Sequence, residues 1–417
     1  MNAKTQKARF GEASAREGYK LTKLGWISKE WDVIKIGKVG KVQGGYAFKS
    51  SKFTSSGKYQ VVKMANLYNG VLDLFRSQSF LCKISNSEKS FIINENDILL
   101  TLTGTVGKRD YGHTVFISDT NDLLLNQRVG RIIILDANPK YIYYLTKTER
   151  FLNQFYYSAR GGTGNQTNVS TLDVESLIIP LPPLPEQQKI AQILSTWEKA
   201  IEKTEQLIRA KTQLKKGLMQ QLLTGKKRFS EFTDSWKEYH LDELVTKTKG
   251  SIVATSSERK GIPLIDTSAF NGEPEYYTED TNAKKCKIND VLILWDGSKA
   301  GRVMTNKVGV VGSTFSIFTP DNKIHNEFLT IRMIYDQKRI MAVREGSGIP
   351  HVPKDFLDWY RVTVPNYSEQ EKIANAFKNI DIEIYKLNQT LKLIKKRKIG
   401  LMQKLLTGEV RVNTNNN

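Results

Sequence analysis

Side chains that donate and accept hydrogen bonds, set beside lysines and arginines in glycine-bearing segments, are the most evident chemistry of this 417-residue chain. Amide and guanidinium groups match the edges of nucleic-acid bases, while Lys and Arg also hold phosphates. In the first half the candidates are Lys63 with Asn66, Thr105 with Lys108 and Arg109, and Arg160 with Asn165, Gln166 and Asn168. In the second half they are Arg259 with Lys260, Ser298 with Lys299 and Arg302, and Arg344 with Ser347 and His351. These segments follow strand-like runs, which places them on exposed loops. Any one of them is also compatible with an ordinary polar loop. The recurrence of Gly104 as Gly297, and of Gly161 as Gly346, sets them apart. Tyr46, Phe48 and Tyr157 suit base stacking and a core equally well.

Catalytic chemistry is harder to find. His113, His240, His325 and His351 have no metal-ligand spacing, and Cys82 and Cys286 have no CxxC context. Pro182-Pro183 lacks the preceding Asp or Asn and the following aromatic that would hold an amine beside a methyl donor. Gly162-x-Gly164 lacks a third glycine, and Gly104-Thr-Val-Gly107-Lys108 lacks P-loop spacing. Pro320-Asp321 is not followed by Glu-x-Lys. The expectation is a chain with no catalytic residues, no metal site and no cofactor of its own.

The formal charge of +20 and pI near 9.6 call for a polyanionic partner. No run of 18 apolar residues and no apolar signal core occur, so no membrane is expected, and the two isolated cysteines fit a reducing cytoplasm.

These candidates are positioned by a repeat. Residues 186–225 and 369–408 align without a gap at an offset of 183, with 17 identities in 40 positions. In the second copy Ile373, Phe377, Ile380, Ile384, Leu387, Leu391, Ile394, Leu401 and Leu405 follow alternating steps of four and three, interrupted at Lys398. In the first, Ile190, Leu194, Trp197, Ile201, Ile208, Leu218 and Leu222 keep that register, with Thr204, Lys211 and Lys215 as polar interruptions. A stripe every 3.5 residues is a coiled-coil seam, and each helix would be about 55–60 Å long. The preferred reading pairs the two helices antiparallel as a spacer; the alternative packs each on its own domain. Pro185 suits a first turn, Ser368 with Glu371 reads as a capping box, and Gly225 and Gly408 as C-terminal stops. The two helical regions, extended to 228 and 411, carry +11 of the net charge, including the run Lys395-Lys396-Arg397-Lys398.

The globular regions also match faintly: Trp31, Ile36 and Val39 with Trp236, Leu241 and Leu244, and Asn96-Asp97 with Asn289-Asp290. Strand-like runs start at Tyr59, Asp97 and Arg131, and a helical pattern covers 139–155. The expected fold class is α+β, with mixed α/β globular domains, two long helices and a pseudo-two-fold repeat. The expected division is a polar segment 1–20, domain one 21–183, helix 184–228, domain two 229–365, helix 366–410 and a polar tail 411–417.

Tyr19-Lys-Leu-Thr-Lys-Leu-Gly-Trp-Ile-Ser-Lys-Glu-Trp31, Ile179-Pro-Leu-Pro-Pro-Leu-Pro-Glu-Gln-Gln-Lys-Ile-Ala191 and the twice-occurring Gly-Leu-Met-Gln-x-Leu-Leu-Thr-Gly (217–225, 400–408) resemble the specificity subunits of type I restriction–modification systems. The resemblance covers about residues 19–410. The second helix departs from it, since Tyr367-Ser368-Glu369 lacks the Leu-Pro-Pro-Leu run of the first. The resemblance implies two target-recognition domains reading a split, asymmetric site in double-stranded DNA. It implies two modification subunits that carry S-adenosylmethionine and methylate adenine, and two restriction subunits that use ATP and Mg. Two other classes stay open: a stand-alone DNA-modifying enzyme, and a coiled-coil protein indifferent to DNA sequence.

Overall fold

The computed structural model describes residues 17–414 except 69, 120–121, 162–164 and 273–274. Most of the expected N-terminal segment, the last residues of the tail, and Gly162 and Gly164 lie outside the described residues. The chain divides into two compact units, one of residues 1–202 with 392–417 and one of residues 203–391.

In the first unit, the strand-like runs from Asp97 and Arg131 form the centre of a four-stranded sheet. Its order is β11 (Thr114–Phe116), β9 (Ile98–Thr101), β13 (Val129–Ile134), β4 (Gly40–Gly44). Ile98 and Leu100 of β9 enter one apolar cluster while Leu99 enters another, so this strand is apolar without interruption because both its faces are covered. A second sheet holds β5 (Tyr59–Val62) between β12 (Leu123–Leu125), which is parallel to it, and β8 (Phe80–Leu81). The helical pattern over 139–155 resolves into α1 (Pro139–Thr146) and α2 (Glu149–Tyr157). The break falls at Thr148, whose Oγ1 accepts from the Phe151 N–H and so caps α2.

The second unit repeats this plan. Its main sheet runs β18 (Val245–Lys249), β25 (Phe315–Pro320), β22 (Val291–Leu294), β23 (Val303–Thr305), the same neighbours in the same order. Val291 and Ile293 face one cluster, Leu292 and Leu294 another. β19 (Ile262–Ile265) again lies parallel to its partner β24 (Gly309–Val311). Asp97 and Asp290, aligned in sequence, close equivalent turns by accepting from the Asn94 and Lys287 N–H groups.

The long helices are α4 (Leu184–Leu222) and α8 (Tyr367–Leu405), and both end in a glycine at positive φ, Gly225 at +69° and Gly408 at +71°. One expectation is corrected at the start of α8. Ser368 lies inside the helix, and the cap is Asn366, whose Oδ1 accepts from the Glu369 N–H at 2.9 Å.

The seam reading and the domain-packing reading each describe part of these helices. In the first unit Ile190 and Leu194 join Leu405, Leu406 and the partly buried Leu401 in the domain core. Trp197 and Ile394 lie together beside a small gap, and Lys398 pairs with Glu198 at 2.6 Å. In the second unit Leu222, Ile373 and Phe377 join the domain core with Leu218 against them. Lys215 there pairs with Asp381 and Lys211 with Glu383, both at 2.6 Å. Early residues of one helix thus meet late residues of the other within each unit, which makes the pairing antiparallel. Three lysines that interrupt the apolar stripe are the residues that reach across it. Ile201, Ile208, Ile380, Ile384, Leu387 and Leu391 are half-buried, as a two-helix seam leaves them.

The helix starts are anchored by buried polar residues. Glu186 accepts from Trp31 Nε1 at 3.1 Å and from Arg411 at 2.7 and 2.9 Å. In the second unit Glu369 takes the same two-pronged contact from Arg228, at 2.9 and 2.7 Å. Gln187 and Gln370 accept from the Asn138 and His325 N–H groups that start α1 and α5 (Asn326–Tyr335). In both units the arginine comes from just beyond the end of the other long helix.

Candidate nucleic-acid interface

In the first unit, segments some sixty residues apart in sequence close into one small sheet. β15 (Gln166–Asn168) lies antiparallel between β10 (Thr103–Thr105) and β14 (Arg160–Gly161). The register sets Thr105 opposite Gln166, and Asn168 between Thr103 and Arg160. Since strand side chains alternate, these residues share a face, with Thr167 buried behind it. Gly104 in β10 is required by space, because a Cβ there would lie 2.2 Å from the Tyr111 ring.

The face is held in place but not used up. Thr103 Oγ1 donates to Asn168 Oδ1 at 2.7 Å, which turns the Asn168 amide donors outward. Arg160 meets Asp173 at 3.2 Å yet stays 81% exposed. Asp173 itself is kept below the usual carboxylate range, first by the Ser170 hydroxyl. The adjoining turn is pinned by Asp110, whose carboxylate accepts from the Thr105 N–H and hydroxyl; these bonds hold its pKa down. Asn165 accepts the Val106 N–H through its carbonyl, and its side chain is exposed. Lys108 is exposed at the turn, while Arg109 is tied to α2 through Glu149 and Asn153 and lies over the Tyr156 ring. Thr105, Lys108, Arg109, Arg160, Asn165, Gln166 and Asn168 are therefore brought together.

Lys63 and Asn66 are not. Asn66 is 1% exposed, and its side chain accepts from the Lys63 N–H and donates to the Asp73 and Arg76 carbonyls. It is a loop clamp, which corrects its reading as a base contact. Lys63 donates to Ser79 and lies over the Phe53 ring.

In the second unit His351 occupies the place of Asn168, bridging Asp296 on one side and Glu345 on the other. Glu345 thus stands where Arg160 does. Its carboxylate is 3.6 Å from His351 Nε2, and Lys249 is 3.7 Å from Asp296. Ser298, Lys299 and Ser347 are exposed in the flanking loops. Gly297 and Gly346 are needed for another reason than Gly104, having φ of +115° and +94°. Arg344 is half-buried and donates to the Met341 and Ser298 carbonyls, which ties it across the loop. Arg302 covers the Phe270 ring. Arg259 and Lys260 lie exposed before β19, on a different sheet, with Lys260 beside Glu258. Sequence reasoning missed Asp296 and Glu345, although Glu345 adjoins Arg344 and Gly346, because acids were not sought among contacts to a polyanion.

Among the described residues no group of three or more His, Cys, Asp or Glu is placed to hold a metal, and no helix is long and apolar enough to cross a membrane. Burial pushes the Cys286 thiol up to about 11, and burial lowers the His113 imidazole. Neither side chain belongs to the shared faces.

The family described as the type I restriction modification DNA specificity domain matches twice, over residues 28–211 and 233–396. A Methanocaldococcus jannaschii protein described as a candidate MjaX type I restriction enzyme specificity subunit is 25% identical over 95% of this chain and 98% of its own length. The MjaIX specificity subunit of the same organism is 23% identical over 94% of this chain and 96% of its own length. The type I restriction–modification S subunit from M. genitalium has a similar fold, with a TM-score of 0.61, 18% identity, and coverage of 93% of this chain and 98% of that one. With both halves matched and both built on one plan, the chain belongs to the type I restriction–modification DNA specificity family, as a specificity subunit with two target-recognition domains.

Proposed function

We propose that each globular domain reads one half of a bipartite, asymmetric target in double-stranded DNA. The paired helices set the spacing of the half-sites and dock two methyltransferase subunits, so that adenine is methylated or, with two restriction subunits, the DNA is cleaved. S-adenosylmethionine belongs to the methyltransferase subunits and ATP with Mg to the restriction subunits, in the cytoplasm; this chain supplies recognition and no catalytic group.

One observation carries this reading: a single fold is built twice, and the same position offers different chemistry each time. The first unit presents Thr105, Arg160, Gln166 and Asn168, and the second presents Asp296, Glu345 and His351. Guanidinium suits guanine, amides suit adenine, and carboxylates accept from the cytosine amino group. Two such faces on one frame suit two unlike half-sites.

The test replaces residues 234–363 with the corresponding domain of a relative and maps modified adenines in cells that also carry the methyltransferase subunits. One half-site should change while the other half and the spacer stay. Changes in both halves would refute independent reading. The spacing role is tested by inserting four residues near Thr204, which adds about 6 Å of helix and rotates the stripe beyond it by only about 40°. The spacer should lengthen by about one or two base pairs. The isolated chain should bind no S-adenosylmethionine by calorimetry.

A further inference from the structure

In the first unit a second exposed feature adjoins β11 of the main sheet. The hairpin β6 (Leu67–Tyr68) and β7 (Val71–Leu72) leads into a loop at residues 73–76. Gly70 of this hairpin sits against the Thr114 carbonyl, where a Cβ would lie 3.6 Å away. Thr114 opens β11, directly after the 105–113 segment that bears Lys108 and Arg109.

The loop is fixed from below. Asn66 Nδ2 donates to the Asp73 carbonyl at 2.8 Å and the Arg76 carbonyl at 2.5 Å, and Gln60 Nε2 donates to the Leu74 carbonyl at 2.5 Å. Asp73 Oδ1 accepts from the Phe75 N–H at 3.0 Å, and Ser77 follows in the left-handed region at φ +49°. A non-glycine residue persists there when its surroundings over-determine it.

What this scaffold displays is apolar. Phe75 is 88% exposed, Val71 62% and Tyr68 57%, with the Arg76 guanidinium 4.7 Å from the Tyr68 ring. A phenyl ring held in water forgoes the gain of burial, so a backbone that fixes it there points to a contact made elsewhere. Residues 46–90 carry seven Lys or Arg against two acids, which selects a polyanion as the partner.

We infer that Phe75 is an apolar contact to DNA, presented on a rigid loop of the first domain, the domain that also carries the candidate reading sheet, with Arg76 next to it in sequence. This rests on the reading that the domain binds DNA. Apolar side chains meet DNA by wedging between base pairs or by packing on the thymine methyl.

The test uses the full chain assembled with its methyltransferase subunits and duplexes bearing the target found by modified-adenine mapping. Phe75→Ala should leave the melting temperature and subunit assembly unchanged and weaken specific binding about tenfold, the size of a lost ring–base contact. Phe75→Leu should retain most of the affinity. In a wedge, 2-aminopurine at one step of the half-site, away from the methylated adenine, brightens with the wild type and not with Phe75→Ala. In a methyl contact, replacing one thymine by uracil weakens the wild type and not the variant. Unchanged affinity for Phe75→Ala, or a fall with neither signature, overturns the inference. Loss of subunit assembly with DNA binding intact overturns it in favour of a protein contact. A wild-type complex with no sequence preference would overturn the domain reading as well.

Discussion

Replacing Arg411 by alanine removes both prongs that neutralise Glu186, at 2.7 and 2.9 Å, and also the contacts to Glu30 at 2.7 Å and the Ser28 hydroxyl at 2.9 Å. The Glu186 side chain is 3% exposed, so the variant leaves a buried carboxylate with only the Trp31 N–H. Breaking a buried pair by removing one partner costs about 3–5 kcal/mol. Arg411 is itself 38% exposed, and solvent screens part of its effect, which brings the expectation to about 2–3 kcal/mol. For a unit of this size that lowers the melting temperature by roughly 5–10 °C. Calorimetry on the full chain reads it as a shift of the transition of the first unit. Glu186→Gln combined with Arg411→Ala should recover about 1 kcal/mol or more, because the buried charge is gone while the Trp31 N–H keeps an acceptor. A shift below 2 °C for the single variant, or a double variant no better than the single, would refute the reasoning.

Three further outcomes are expected. Lys147 is held to about 8, below its ordinary 10.5, first by burial and then by nearby Lys398, against the pull of Glu198, and its ammonium lies 4.1 Å from the centre of the Tyr143 ring. Its folded form gives up its proton before its unfolded form does, so its burial penalty is full below pH 8 and relieved between pH 8 and 10.5. Lys147→Met should stabilise the chain at pH 7 and flatten the rise in stability across that window relative to wild type, as read by urea melts. Asn66→Ala should cost about 2–3 kcal/mol by the same melts, since it strands two carbonyls and the Lys63 N–H. Gln166→Ala should relax one position of one half-site in modified-adenine maps and leave the other half-site unchanged, whereas a uniform loss would assign Gln166 to the phosphates.

The parts legible in the sequence are those with a period. The helices and their seam followed from steps of three and four, and strands such as β9 from short apolar runs. Even Lys211, Lys215 and Lys398, read as interruptions, sat at seam positions; their carboxylate partners lay on the other helix, out of reach of a one-dimensional pattern. The Ser368 cap was misplaced because Asn366 and Ser368 are both good caps two residues apart, and only the Asn366 bond to the Glu369 N–H decides between them. The candidate face was half legible. Residue type alone proposed Thr105 and Gln166, but their pairing across sixty residues depends on sheet topology. Asn66 looks like a base reader by type, and burial assigned its donors to backbone carbonyls instead.

The exchange of arginines between helix ends has a consequence for synthesis. The first unit takes Leu405, Leu406 and Arg411 into its core and its anchor, whereas the second is complete by residue 391. On the ribosome the domain that emerges first must therefore be finished last. At about 5–20 residues per second, it waits on the order of ten to forty seconds for its final residues. During that interval Glu186 is made but lacks its arginine, and the core of the first domain lacks Leu405 and Leu406.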